Sequence, residues 1–206
     1  MNVPMRRPAI LLPLLLLLAT PAAGEESRIG SWRLACATDS MTDRTACRLV
    51  ADRPVEPSTP GRPALALEII AREGRLVPAV TLRELSWEGA LRGLLALDGT
   101  AQLRFPPNPL FEMPCDLEGR SLVCAPRGAD LDRAERELAE APRVLVRVVG
   151  LGGESATAEP AELRLSGTKE AMARLRQEAP PGAAAPARPG LDGPQLLQRL
   201  LRLFGS

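Results

Sequence analysis

Two short segments of the chain each hold a pair of cysteines. Cys36 and Cys47 flank the polar stretch ATDSMTDRTA, and Cys115 and Cys124 flank DLEGRSLV, which contains a glycine turn. Four cysteines allow three disulfide pairings, and the short separations favour Cys36 with Cys47 and Cys115 with Cys124. Each bridge would close a short loop and stabilise the fold by about 2 to 3 kcal/mol.

A zinc site is the alternative use of four cysteines. Structural zinc sites favour the C-x-x-C spacing, commonly combined with histidine ligands. Neither cysteine pair has that spacing, and the chain contains no histidine. The sequence therefore predicts two structural disulfides, no metal site and no cofactor.

The N-terminus indicates the compartment in which these disulfides would form. Two arginines precede the apolar run AILLPLLLLLA, and the small residues TPAAG follow it. This order is typical of a secretory signal peptide, predicted over residues 1–24 with cleavage after Ala22 or Gly24. A retained membrane anchor is the alternative, but Pro13 interrupts a run that is already short for a membrane span. We expect a periplasmic or secreted protein, where disulfides persist.

The chain lacks two side chains that enzymes commonly use in catalysis, histidine and tyrosine. Without histidine, the chain lacks the usual general base near neutral pH. Lys169 could activate Ser166 if the lysine were buried, but its place at the start of a predicted helix favours an exposed side chain. Asp130 and Asp132 could bind a metal, but aspartates at a helix start more often cap the helix. We expect a non-enzymatic binding or envelope-associated protein. The alternatives are a periplasmic hydrolase using serine and lysine, or carboxylates, and a periplasmic chaperone or assembly factor, which would expose an apolar groove or an unpaired sheet edge.

The distribution of charged residues along the chain does not indicate a class of ligand. The chain has 26 basic and 25 acidic residues, and its arginines are scattered among the acids. Aromatic residues make up 2% of the chain, so platforms for base stacking are scarce. Nothing in this pattern indicates nucleic-acid binding.

Short apolar or alternating runs separated by turn residues fill most of the chain. Trp32, Leu34 and Cys36 alternate along one such run, which predicts a half-buried strand. The predicted strand segments are 29–37, 45–52, 64–71, 76–84, 92–98, 100–105, 121–125, 143–151 and 160–167. A glycine turn over residues 150–153 would join the last two as a hairpin. We expect residues 25–179 to form a mainly β domain, an antiparallel β-sandwich of the immunoglobulin-like type.

Two short amphipathic helices interrupt the strands. Residues 129–142 place Leu131, Ala134, Leu138 and Ala141 on one stripe, and Pro142 ends the segment. Residues 167–180 place Ala171, Met172 and Leu175 on another. We expect both stripes to pack against the sandwich.

The motifs that follow one another along the chain resemble a known family. A tryptophan precedes the first cysteine, a Cys-x-Leu motif ends the first pair, an alanine follows the last cysteine, and a Ser-Gly motif opens the closing helix. The residues are Trp32, Cys36, Cys47, Leu49, Cys124, Ala125, Ser166, Gly167, Ala171 and Leu175. This order, over about residues 31–176, resembles the invasion-associated locus B family of exported bacterial proteins.

The resemblance implies a periplasmic or secreted β-sandwich with two local disulfides and no known catalytic centre. It makes Cys36, Cys47, Cys115 and Cys124 structural cysteines, and it leaves the protein or envelope partner unidentified. Two features depart from the family pattern. Thr168 stands where the family usually has phenylalanine, and the second cysteine pair is wider than the usual C-x-x-x-G-C.

A proline- and alanine-rich linker and a tail lie outside the resemblance. The linker spans residues 180–190, and residues 191–206 read as an amphipathic helix capped by Asp192. The predicted contact residues of this helix are Leu196, Leu197, Arg199, Leu200, Leu201, Arg202 and Phe204. The helix could contact a partner or a second copy, lie on a membrane surface with its arginines toward lipid phosphate, or dock on its own domain.

Overall fold

The computed structural model describes residues 26–60, 63–85, 99–149 and 159–179. Within these ranges the chain forms ten strands and two helices. They are β1 Glu26–Ile29, β2 Trp32–Asp39, β3 Arg44–Ala51, β4 Leu65–Arg72, β5 Arg75–Leu82, β6 Thr100–Arg104, β7 Phe111–Glu118, β8 Ser121–Cys124, α1 Asp130–Glu140, β9 Arg143–Val149, β10 Ala161–Arg164 and α2 Thr168–Glu178. None of the helices in the described ranges has the length and apolar character needed to cross a membrane.

The ten strands form one antiparallel sheet in the order β1-β2-β3-β4-β5-β8-β7-β6-β9-β10. The first five strands follow the chain as a meander, and β8, β7 and β6 are added in reverse order. Strand β7 joins the two halves of the sheet. Residues 111–114 of β7 pair with β6, whereas residues 115–118 pair with β8.

The two ends of the sheet meet where the β1–β2 turn contacts the segment after β10. The backbone N–H of Ser31 donates to the carbonyl of Ser166 at 3.1 Å, and the N–H of Ser166 donates to the Ser31 hydroxyl at 3.0 Å. Gly30 has a φ of +57°, and an added Cβ there would lie 2.2 Å from the Ser166 carbonyl oxygen. Glycine is therefore required for this approach, which holds the sheet curled as a half-barrel.

Apolar side chains from the strands and both helices form one core inside the curl. Trp32, Phe105 and Phe111 are the largest side chains buried there. Helix α1 packs against β5, and α2 packs against β1, β2, β3 and α1. The predicted helical stripes are confirmed at Leu131, Ala134, Leu138, Ala171, Met172 and Leu175, which are all buried. Ala141 is the exception, because the helix ends at Glu140 and Ala141 is only partly buried in the extended chain that follows.

The mainly β, antiparallel prediction is confirmed, but the immunoglobulin-like sandwich is not. A sandwich has its strands in two facing sheets, whereas here all ten strands are hydrogen-bonded side by side in a single sheet. Eight of the nine predicted strand segments overlap observed strands. The segment 92–98 and the turn 150–153 lie outside the described residues. Strands β1 and β7 were not predicted.

Both predicted disulfides are confirmed. Cys36 bonds to Cys47 and Cys115 bonds to Cys124, and each bond joins residues that lie directly opposite in neighbouring antiparallel strands. Cys115 and Cys124 are buried in the core. Cys36 and Cys47 are half-buried, close to an exposed hairpin tip over residues 37–46.

We expect a limiting amount of a small thiol reductant to open the Cys36–Cys47 bond first. Thiol–disulfide exchange requires access to a sulfur atom, and the core denies that access at Cys115–Cys124. Brief reduction, alkylation and peptide mass spectrometry would detect label on Cys36 and Cys47 before any on the other pair. Equal labelling of the two pairs in the folded protein would contradict this.

A buried hydrogen bond connects the first half of the sheet to the last helix. The indole Nε1 of Trp32 donates to the Thr168 hydroxyl oxygen at 3.1 Å, and both residues are buried. Thr168 is the position at which the chain departs from the family pattern. Its hydroxyl supplies the acceptor that a buried indole N–H requires.

Thr168→Val should lower the free energy of unfolding by about 1 to 3 kcal/mol, because the indole N–H would stay buried without an acceptor. Urea denaturation followed by the tryptophan fluorescence would measure the change. Thr42→Val is the matched control, since Thr42 is exposed at the hairpin tip. A Thr168 variant as stable as this control would show that the hydrogen bond is dispensable.

Candidate binding site

Small side chains leave a groove on the outer face of β2, β3 and β4. Side chains alternate along a strand, so the neighbours of the buried residues Leu34 and Leu49 point away from the core. The groove has a volume of about 380 Å³. Its floor residues are Ala35, Val50, Ala64 and Ala66, and its cationic walls are Arg33, Arg48 and Arg83. We call it the arginine groove.

A buried carboxylate holds two of these arginines in place. The side chain of Glu68, on β4, is 2% exposed. Arg48 Nη2 donates to Glu68 Oε1 at 2.6 Å. Arg83 approaches from the other side, with its Nη2 at 2.5 Å and its Nε at 3.2 Å from Oε2. Both carboxylate oxygens are thus occupied by guanidinium donors.

The charge state of Glu68 follows from this arrangement. Burial by itself would raise the pKa of Glu68, but hydrogen bonds and charge attraction from Arg83 and Arg48 lower it below its usual value of 4.5. The carboxylate therefore stays ionised at neutral pH and keeps both arginines anchored. The arginine side chains still reach solvent, with 50% of Arg48 and 30% of Arg83 exposed.

Two more acidic residues border the groove. Glu26 on β1 lies with Oε1 3.7 Å from Arg33 Nη1, and both side chains are exposed. Glu84, just past β5, is exposed at the other border. An exposed pair such as Glu26 and Arg33 contributes little to stability because water and salt screen it. Arg33 is therefore much less constrained than Arg48 or Arg83.

A second cavity, of about 410 Å³, lies between α1 and the β6–β7 turn. Two arginines, Arg133 and Arg136, face it together with Glu137 and Glu140. The guanidinium of Arg133 lies 3.6 Å over the Phe111 ring. Arg133 pairs with Asp130, whose side chain is half exposed, whereas Arg48 and Arg83 share a buried carboxylate. The arginine groove is therefore the better-defined site.

The structure separates the predicted catalytic candidates. Lys169 is 70% exposed and lies 3.7 Å from Glu140, so the buried lysine that a Ser166–Lys169 pair needs is absent. The Ser166 backbone serves the closure of the sheet. Asp130 accepts a hydrogen bond from Arg133 at 3.2 Å, and Asp132 pairs with Arg75.

The aspartate capping prediction needs a correction. Helix α1 begins after Ala129, and no side chain makes a capping hydrogen bond there. Asp130 and Asp132 instead add negative charge to the first helical turn, where it favours the helix dipole. The pKa of Asp132 is lowered by its hydrogen bond and charge attraction to Arg75.

The predicted tail contacts and the linker fall outside the described residues. This applies to Leu196, Leu197, Arg199, Leu200, Leu201, Arg202 and Phe204. Within the described ranges, no group of three or more acidic or cysteine side chains comes together as a metal site would require. The groove residues themselves were not predicted. Their one signal was a charged residue, Glu68, inside the otherwise apolar run ALALEIIA.

Comparisons with known proteins show a distant likeness to a solved structure. No protein-family model matches the chain, and no curated protein matches its sequence. A solved structure, that of invasion associated protein B from Bartonella henselae, is 11% identical with a TM-score of 0.46. The likeness covers 74% of this chain and 95% of that one. At this level it carries no argument about function, and the family resemblance stays a prediction.

Glu68→Gln should lower the free energy of unfolding at pH 7 by about 1 to 3 kcal/mol, because the arginines lose their charged acceptor. The pKa of Glu68 is lower in the folded state than in the unfolded state, so its contribution is present at neutral pH and is lost as the pH falls through the folded-state pKa. Denaturation at a series of pH values should show the two proteins converging in stability below pH 4.5.

Glu162→Gln is the matched control for this change. Glu162 is exposed on β10 and pairs with Arg143, so its loss should cost less than about 1 kcal/mol. A difference between wild type and the Glu68 variant that stays constant from neutral to acid pH would contradict the role given to the Glu68 charge.

Proposed function

We propose that the chain is an exported, non-enzymatic binding protein of the bacterial envelope and that the arginine groove is its ligand-binding site. The observation that carries this proposal is the pair of guanidinium groups fixed by the buried Glu68 beside an open floor of small residues. Binding sites gain affinity when their polar groups are held in place before the ligand arrives. Arg48 and Arg83 meet that condition.

Several observations support the envelope location. The two disulfides fit an extracytoplasmic protein, since such bonds persist in oxidising compartments. The predicted signal peptide over residues 1–24 agrees with this. We propose a periplasmic or secreted protein that is a divergent member of the invasion-associated locus B family.

The non-enzymatic part of the proposal rests on the positions of the candidate residues. The exposed Lys169 lacks the burial that would lower its pKa enough to activate a serine. The arginine groove offers guanidinium donors and aliphatic surface, which suit recognition of a ligand. We further propose that the predicted tail helix over residues 191–206 attaches the domain to a partner or to a membrane surface.

Ala35→Trp should fill the groove and abolish ligand binding. Ala35 is exposed and lines the groove, so an indole ring there occupies the floor without disturbing the core. The protein would be expressed with its own N-terminus, recovered from the periplasm or the medium, and analysed by native mass spectrometry. Wild-type protein should carry a bound envelope compound that the variant lacks.

Ala37→Trp is the matched control. Ala37 is exposed on the same face of β2, two residues further along, and does not line the groove. This variant should retain the bound compound. Recovery of the protein in the cytoplasm, absence of a bound compound on the wild type, or equal loss in both variants would each overturn the proposed function.

A further inference from the structure

We infer that the arginine groove recognises a phosphate group of its ligand, which binds to a row of three arginines, Arg28, Arg33 and Arg48, on β1, β2 and β3. Arg33 and Arg48 line the groove, and Arg28 lies at its border, opposite Arg33. This inference rests on the proposed function and names the ligand chemistry of that site. We call these residues the arginine row. It follows from the register of the strands, which brings three like charges together on one face of the sheet.

Register places the three arginines side by side. Arg28 lies directly opposite Arg33 in the antiparallel pair of β1 and β2. Arg48 lies opposite Ala35, which makes it a diagonal neighbour of Arg33 on β3. Directly opposed and diagonal residues on one face are about 5 and 7 to 8 Å apart. One tetrahedral anion can therefore be reached by neighbouring guanidinium groups.

Like charges in this arrangement repel each other in the free protein. Arg28 has no ion-pair partner among the described residues. Like charges directly opposite each other destabilise a sheet, so the Arg28–Arg33 pair is a local cost. An anion bound between the two side chains would remove that cost. The arrangement is thus more stable with an anion than without one.

The local charge balance also favours an anion. Arg28, Arg33, Arg48 and Arg83 provide four positive charges on this face. Glu26, Glu68 and Glu84 provide three negative charges, which balance the three arginines of the groove, so the one positive charge in excess is that of Arg28. Glu68 lies buried between Arg48 and Arg83, so it anchors Arg48 without presenting its own charge to a ligand.

Guanidinium geometry selects phosphate among anions. Each guanidinium presents parallel N–H donors that match two oxygens of a phosphate, and the hydrogen bonds are charge-assisted. Phosphate also carries more charge than a carboxylate at neutral pH. The aliphatic floor beside the arginine row leaves room for the organic part of a phosphate ester.

The first experiment titrates inorganic phosphate into the mature full-length protein at low ionic strength and follows arginine Nε–H signals by NMR. We expect saturable shifts at Arg28, Arg33 and Arg48, and weaker binding as sodium chloride is added. Thermal unfolding should shift to higher temperature with phosphate, because the ligand binds the folded state. Absence of saturable shifts at these three residues would overturn the inference.

Arg33→Gln should weaken phosphate binding by about tenfold or more, the loss expected for one charge-assisted contact. Arg33 is exposed and weakly paired, so the fold should be retained. Arg143→Gln is the matched control, since Arg143 is also exposed on a strand and pairs with a glutamate. Equal weakening in the two variants would show that phosphate responds to net charge alone.

Arg28→Glu should raise the thermal stability of the free protein and at the same time abolish its binding of phosphate. It replaces the repulsive Arg28–Arg33 pair with an attractive one, so the free protein should melt a few degrees higher. The same change should abolish phosphate binding. A variant that is more stable but binds phosphate as wild type does would overturn the inference.

A last comparison identifies the source of the phosphate. Sedimentation with vesicles of phosphatidylglycerol and phosphatidylcholine would be compared for wild type and Arg33→Gln. Loss of sedimentation with Arg33→Gln indicates a lipid headgroup, whereas phosphate binding in solution without Arg33-dependent sedimentation indicates a soluble phosphate ester. If Ala35→Trp loses the native ligand but phosphate does not bind the arginine row, the proposed function stands and the phosphate inference fails.

Discussion

The closure of the curled sheet depends on one small contact between the start and the end of the domain. Trp32 and Thr168 share a buried hydrogen bond. Beside it, the Ser31 N–H donates to the Ser166 carbonyl, and the Ser166 N–H donates to the Ser31 hydroxyl. The backbone of Gly30 makes this approach possible. Because the ends are held together, the strands and both helices enclose the main core. A second, smaller cluster of buried residues, Ala79, Val123 and Ala125, lies apart from it.

The Glu68 side chain points away from the main core, yet it is buried and pairs with two arginines. A buried carboxylate destabilises a fold unless hydrogen bonds and opposite charges compensate for its lost hydration. Arg48 and Arg83 provide that compensation through their hydrogen bonds to both carboxylate oxygens. A hydrophobic residue would often stabilise such a position equally well. The ion pairs give a definite position to two guanidinium groups at a concave surface, which an apolar residue would leave undefined.

The sequence supports the local features of this molecule better than its long-range ones. Cysteine spacing predicted both disulfides, alternating or short apolar runs predicted eight strands, and apolar stripes at helical spacing predicted both helices. Strand β7 was missed although its apolar and polar residues alternate from Phe111 to Glu118. Pro114 weakens the strand signal there, because proline cannot donate a backbone hydrogen bond to a sheet. The arginine row could not be predicted, since Arg28, Arg33 and Arg48 become neighbours through strand register, which depends on pairing across β1, β2 and β3. The sandwich prediction lacked the same information about which strands pair.

The two disulfides constrain the register of the strands that they join. A slip of one residue in an antiparallel pair would turn every side chain to the opposite face. Each disulfide joins directly opposed residues, so its formation excludes such a slip in the β2–β3 and β7–β8 hairpins. Since β7 is shared by both halves of the sheet, the Cys115–Cys124 bond sets a common reference for their alignment. Oxidation of the chain thus fixes which residues of β2 and β3 face outward.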